Sequence, residues 1–213
     1  MKRYWNFQRR VTRLTLAGLA LLIPAFGTEK QADANSLIGY ELVGQVLSTS
    51  PQQSLQYGYL SFVRGLARIT TSPEAISEKT ALLTFYNDTA TERVINNGPV
   101  RIIDRTGTST IYFDSGNRDF SSPDTFRKGK PVQVCNLRHQ VVIDTSTGYF
   151  TATFEMSITS TKTFQIDGNT YRLGKRGGVY RIMVYGKLTQ QAPPSAHIAG
   201  VAMGIEAEVI EVD

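Results

Sequence analysis

The stretch Val132–Ile166, VQVCNLRHQVVIDTSTGYFTATFEMSITSTKTFQI, decides the fold. Two long alternating segments flank Thr145-Ser146-Thr147-Gly148. In the first, the apolar residues fall on odd numbers, Cys135, Leu137, Val141 and Ile143, and His139 shares their register. Asn136, Arg138 and Gln140 take the opposite face. In the second, Phe150, Ala152, Phe154, Met156 and Ile158 oppose Thr151, Thr153, Glu155 and Ser157. Side chains alternate across a strand, so this period of two predicts a β-hairpin with one buried face. Its second arm is too long for a flat strand and should bend. Lys162 breaks the even-numbered apolar series and marks where the register shifts.

Outward from this hairpin the chain repeats the pattern. Strands are expected over Asn35–Leu47, Tyr57–Leu66, Ala81–Asn87, around Tyr180–Leu188 and over His197–Val212. In Tyr57–Leu66, Leu60, Phe62 and Leu66 form one face, and Tyr57, Tyr59 and Val63 the other. The polar run Ser48–Gln56, with Pro51, reads as a loop. Thr70–Lys79 can hold a helical turn, with Ser72 as cap and Pro73 at the first position. Turns are expected at Asn87-Asp88, Asn96-Asn97-Gly98, Thr106-Gly107, Asp167-Gly168 and Gly177-Gly178, Asp-Gly being a strong hairpin step. In the last strand Ala199, Val201, Met203, Ile205, Ala207 and Val209 share one face, the expected interior, where Ala199 and Ala207, with Ala152 of the hairpin, leave room for a guest.

Closely spaced hairpins favour an antiparallel meander over βαβ units. Glycines inside several strands, among them Gly44, Gly58, Gly186 and Gly200, mark the bends a barrel needs. The expected fold is therefore all-β, an antiparallel meander closing into a barrel of about eight strands. A two-sheet β-sandwich, the alternative, shows the same alternation.

The N-terminus reads as an export signal, residues 1–34. Lys2, Arg3, Arg9, Arg10 and Arg13 precede an uncharged apolar core, Leu14–Phe26, too short to span a bilayer comfortably. Cleavage can follow Ala32-Asp33-Ala34 or Ala25-Phe26-Gly27, and an uncleaved anchor is the other reading. The signal implies a secreted or periplasmic domain over residues 35–213, with no membrane span left after cleavage. It carries six Lys/Arg and two Asp/Glu of the chain's 23 and 18, which leaves 17 and 16. A near-neutral domain has no clustered basic face for nucleic acid. Cys135 is the chain's single cysteine, so packing must replace disulfides, and its apolar register makes it a small buried hydrophobe.

The residues point to no named chemistry. There is no G-x-S-x-G elbow, no H-E-x-x-H and no phosphate-cradling glycine loop. His139 and His197 alone cannot build a centre of three histidines within one chain. No cofactor or metal is called for. In the long segment Asp114–Lys130, Asp114, Asn117, Asp119 and Asp124 offer oxygens, but their spacing does not fit a calcium loop. Arg118, Arg127, Lys128 and Lys130 pair more simply with these acids. Asn87-Asp88-Thr89 matches a glycosylation sequon.

Leu83–Val100 (LTFYNDTATERVINNGPV), followed by Thr147-Gly148-Tyr149-Phe150, is similar to the strand-and-turn pattern of allene oxide cyclase and dirigent-type barrels. The likeness covers a small part of the chain and rests on common hairpin residues. It implies a barrel and assigns no family.

Three functions fit: a barrel holding a small apolar ligand, a cofactor-free isomerase or cyclase using the same cavity, or an interaction module of the envelope that uses an outer face. If the interior is hollow, the register places Leu137, His139 and Val141 on one side of the site and Phe150, Ala152 and Phe154 on the other. His197, after Pro193-Pro194, is expected at an exposed rim.

Overall fold

The structure, a computed structural model, describes residues 38–72, 75–190 and 195–210. The signal-like segment lies outside them. Eight strands close an antiparallel barrel in the order β1-β10-β9-β6-β5-β4-β3-β2. They are β1 Ile38–Ser50, β2 Gln53–Val63, β3 Leu83–Asn97, β4 Val100–Phe113, β5 Lys130–Asp144, β6 Tyr149–Thr161, β9 Val179–Leu188 and β10 Ala196–Met203. β7 Phe164–Ile166, β8 Asn169–Leu173 and β11 Ala207–Val209 make a small separate sheet in the order β11-β8-β7. The sandwich alternative is thereby set aside. Among the described residues no helix is long and apolar enough to cross a membrane.

The central hairpin pairs as its alternation requires. Leu137 lies opposite Met156, His139 opposite Phe154, Val141 opposite Ala152 and Ile143 opposite Phe150. All eight of these side chains are buried, while Arg138 and Glu155 on the outer face are exposed. The register of β6 shifts before Lys162, at Thr159, an extra residue opposite Val134 and Cys135; β6 then ends at Thr161 and the chain turns through Lys162 and Thr163 into β7.

Elsewhere four expectations fail, each for a structural reason. Ser48–Gln56 is no loop: only Pro51-Gln52 turn, and Ser54 and Gln56 are buried strand residues. Asn87-Asp88 and Thr106-Gly107 are not turns but lie inside long strands, Asn87 facing Ser109 and Thr89 facing Gly107. Polar inward residues there mimic turn chemistry. A β-carbon on Gly107 would strike the Asp88 carbonyl, so the glycine serves close strand approach. In β2, Ser61 is an extra residue opposite Glu41 and Leu42, which turns Phe62 outward and brings Leu60 and Val63 inside.

The last strand is broken. β10 ends at Met203, Gly204 has a positive φ of 85°, and β11 pairs with β8 instead of the barrel. Its interior residues are Ala196, Ile198 and Ala202, whereas Ala199 is exposed. β10 is apolar on both faces, so alternation could not assign its inner side. The start of the expected helical turn, Pro73, lies outside the described residues; at its far end Ala81 N–H donates to the Ser77 carbonyl at 3.0 Å, a single turn. Thr70 and Ala81 form a β-bridge across the segment, and Thr71 N–H donates to the Thr80 carbonyl at 2.7 Å.

The two ends of the barrel differ. At one end the small sheet adds Phe164, Ile166, Tyr171 and Leu173 to the barrel core. Beneath it runs a buried polar chain: Tyr40 OH donates to Tyr180 OH at 3.2 Å, and Tyr180 OH to Gln133 Oε1 at 2.7 Å. Gln133 Nε2 in turn donates to the Leu173 carbonyl at 2.9 Å. Burial pushes the Cys135 thiol beside them up to about 11. The opposite end carries the connections at 51–52, 98–99 and 145–148, the end of β9 and the start of β10.

The segment Asp114–Lys130 folds along the outer wall, with a 3-10 turn at Pro123–Arg127. Phe120 and Phe126 pack on Tyr57, with ring centroids 6.1 and 5.3 Å away. Tyr86 joins the same cluster, and Thr84 Oγ1 donates to the Phe126 carbonyl at 2.8 Å. This strap explains why Tyr57 and Tyr86, which face away from the barrel axis, are buried. Its acids are held locally. Asp114 pairs with Arg118 at 3.1 Å and Asp124 with Arg127 at 2.9 Å, while Asp119 accepts from Ser121 N–H. Among the described residues no group of three or more His, Cys, Asp or Glu could hold a metal ion.

Candidate functional site

Below mid-height the interior is filled. Tyr40, Leu42, Leu60, Phe85, Ile111, Phe154, Ile182 and Ile198 leave about 10 Å³ among them, no more than one water. Toward the end with the 145–148 turn the packing opens into a cavity of about 120 Å³.

Its floor is Phe154, Val184 and Ile198, which also bound the packed layer. Val141 and Ile143 of β5, Phe150 and Ala152 of β6 and Ala196 of β10 make an apolar wall. Phe150 is positioned by a glycine: its ring occupies the place a β-carbon on Gly186, its neighbour on β9, would need. Aromatic cover of a strand glycine is a recurring device in barrels.

The rest of the lining is mixed: Gln56, Arg105 and His139 stand among Val46, Ile103 and Leu188, with Ser48 and Ser195 also bordering the cavity. Arg105 lies on the inner face of β4, in register with His139. Its Nε–H donates to Thr91 Oγ1 at 3.3 Å. Asp104, the preceding residue, points outward, where it pairs with Arg93 at 2.6 Å and accepts from Gln140 Nε2 at 3.0 Å. Those two contacts, Gln140 first, hold its carboxyl below the usual range.

His139 is 3 % exposed, its ring edge-on to Phe154 with centroids 4.5 Å apart. Neither ring nitrogen has a hydrogen-bond partner among the described residues, and Gln56 Oε1 is likewise unpartnered. Burial first, then the positive charge of Arg105, drives the imidazole down to about 3, so it is neutral at physiological pH. It then presents one donor and one acceptor.

Of the six residues expected at the site, His139, Val141, Phe150, Ala152 and Phe154 line this cavity. Leu137 does not. It sits in the packed core below, between Gly107 on β4 and Met156 on β6. The small interior alanines expected to leave room are only partly there: Ala152 lines the cavity, Ala199 faces outward, and Ala207 belongs to the small sheet. His197 is exposed at the start of β10. Asn87 of the sequon is buried against Ser109 inside the barrel, where no glycan can be attached to the folded chain.

The alternation missed Arg105, Gln56 and Ser48. Their strands were broken into turns and loops at the sequence level, so their faces went unassigned. Arg105 shares the odd register of Ile103 and Ile111, the signal that would have found it.

The fold and site define a closed eight-stranded antiparallel barrel with a mostly apolar cavity at one end, lined also by Gln56, Arg105 and His139. No family model, curated protein or solved structure matches the chain.

Proposed function

We propose that this is an exported barrel that binds a small, largely apolar molecule in the cavity between β5, β6 and β10. The carrying observation is the cavity itself. It holds about 120 Å³ above a core with space for one water at most, and six residues of the central hairpin line it. Eight-stranded barrels are just wide enough either to fill with side chains or to hold one small ligand. Apolar cavities of this order, about 150 Å³, take benzene. Export is supported by the signal-like residues 1–34.

The cyclase or isomerase reading has one observation in its favour, a buried imidazole with two free nitrogens in an apolar lining. Its titration near 3 speaks against it, because a general base works best with a pKa near the operating pH. Binding is therefore preferred. The envelope-module reading would use the outer face of β9, where Val179, Met183 and Tyr185 are exposed.

Native mass spectrometry of protein purified from its own host tests the proposal, followed by titration with small aromatic and terpenoid probes. A bound mass or saturable uptake is expected. His139→Phe should weaken uptake, and Arg138→Ala on the opposite face should leave it unchanged. An empty protein that takes up none of the probes overturns the reading.

A further inference from the structure

We propose that the guest of this cavity is a small organic acid, one carboxylate on an apolar body of about one ring or six carbons, with Arg105 as its counter-ion. This rests on the binding function just proposed and names the chemical class of the ligand.

The argument begins with a charge that lacks its opposite. A guanidinium does not lose its proton in a protein. Placed on a barrel's inner face, it costs free energy unless it is paired. Arg105 is half-buried there, and among the described residues no carboxylate lies within ion-pair distance of it. Its neighbour Asp104 would be the obvious partner, but strand alternation turns it to the outer face, where Arg93 and Gln140 occupy it. The barrel thus supplies a cation to the lining and withholds the anion.

Two further groups bear on the same space. His139, almost wholly buried, has an imidazole N–H without an acceptor. A carboxylate held by Arg105 offers one. Gln56 Nε2 donates to Ser54 Oγ and Thr89 Oγ1, while its Oε1 accepts from no donor among the described residues. That free acceptor suits a hydroxyl on the guest, not its carboxylate. The rest of the lining, with Ile103, Val141, Phe150 and Ala152 beside these groups, is mostly apolar, so the guest should carry its charge at one end.

Charge and size narrow the class. Arg105 is the one charged side chain of the lining, which fits a monoanion better than a phosphate dianion. A guanidinium matches a carboxylate through two parallel N–H···O bonds. The volume of about 120 Å³ admits a body near the size of benzene and excludes a long acyl chain held entirely inside.

The test is a calorimetric titration of the purified protein at pH 7 and low salt, using matched pairs: benzoate with benzamide, and hexanoate with hexan-1-ol. The acid of each pair should bind about tenfold more tightly or better than its neutral partner. Arg105→Gln should weaken benzoate about 10- to 100-fold, the usual worth of a charged hydrogen bond, and leave benzamide within about twofold. Arg105→Lys should recover part of the loss. Neutral probes that bind as tightly as the acids to the unmodified protein overturn this inference and leave the binding cavity standing. Failure of all four probes overturns both. If Arg105→Gln does not fold, the acid-to-neutral ratio of the unmodified protein decides alone.

Discussion

His139 is a titratable group stored in its neutral form, and the storage has a measurable cost in acid. In the unfolded chain the imidazole takes up a proton near pH 6.5, whereas in the barrel it does so only near 3. Between those values the unfolded state binds more protons, so stability falls as pH falls. The facing charge is Arg105 on β4, which opposes protonation; Asp104, outward on the same strand, favours it weakly; Phe154 on β6 carries none. From pH 6.5 to 5 the fold should lose roughly 2 kcal/mol, one pKa unit being worth about 1.4 kcal/mol. Urea titrations across that range check this, and His139→Phe should flatten the slope. An unchanged slope in the variant would place the proton uptake elsewhere. At this scale the sequence was readable where one face is apolar and the other polar. Parity alone put His139, Val141, Phe150 and Ala152 inside. It could not announce Arg105, because a charged inward residue breaks the pattern that parity depends on.

At the scale of elements, the pairing of Gly186 with Phe150 shapes the cavity wall. Gly186→Ala should cost about 1–3 kcal/mol through overpacking. The loss should shrink in a Phe150→Ala background, where the ring that occupies the space is gone. A double-mutant cycle by chemical denaturation measures this, and additive losses would mean that the two residues do not share the space. The strap along the outer wall makes a separate prediction. Phe126 is fully buried between Tyr57 and Phe120, so Phe126→Ala should cost about 3–5 kcal/mol and expose residues 114–130 to protease. Cavity binding should be unaffected, since no strap residue lines the cavity. Elements were legible in proportion to their contrast. The hairpin around Thr145–Gly148 was plain. β3 and β4 were cut into fragments, because Asn87, Asp88, Thr106 and Gly107 are turn-forming residues that long pairing holds extended. β10 was read on its wrong face because both of its faces are apolar.

On the scale of the whole molecule, the closing contact joins β1 to β10, the first and last strands of the barrel. Alternation could not decide between barrel and sandwich, since both bury one face of every strand. The interior glycines tipped the choice, and Gly44 opposite Gly58, with Phe85 laid across them, shows why: side chains there would keep the wall from curving. Closure buries Cys135 beneath the small sheet, and its thiol titrates near 11. A thiol reagent at pH 8 should therefore label Cys135 no faster than the protein unfolds globally; faster labelling would reveal a local opening at that end. The aromatic cluster under the strap has an optical consequence. The chain's single tryptophan is Trp5, within the signal-like segment, while Tyr57, Tyr59 and Tyr86 crowd the strap. A processed protein should thus emit as a pure tyrosine fluorophore near 300 nm, and its near-ultraviolet dichroism should report tyrosine packing, at the strap and at the Tyr40–Tyr180 pair, without an indole to mask it. Emission near 350 nm would reveal in a single spectrum that residues 1–34 are still attached.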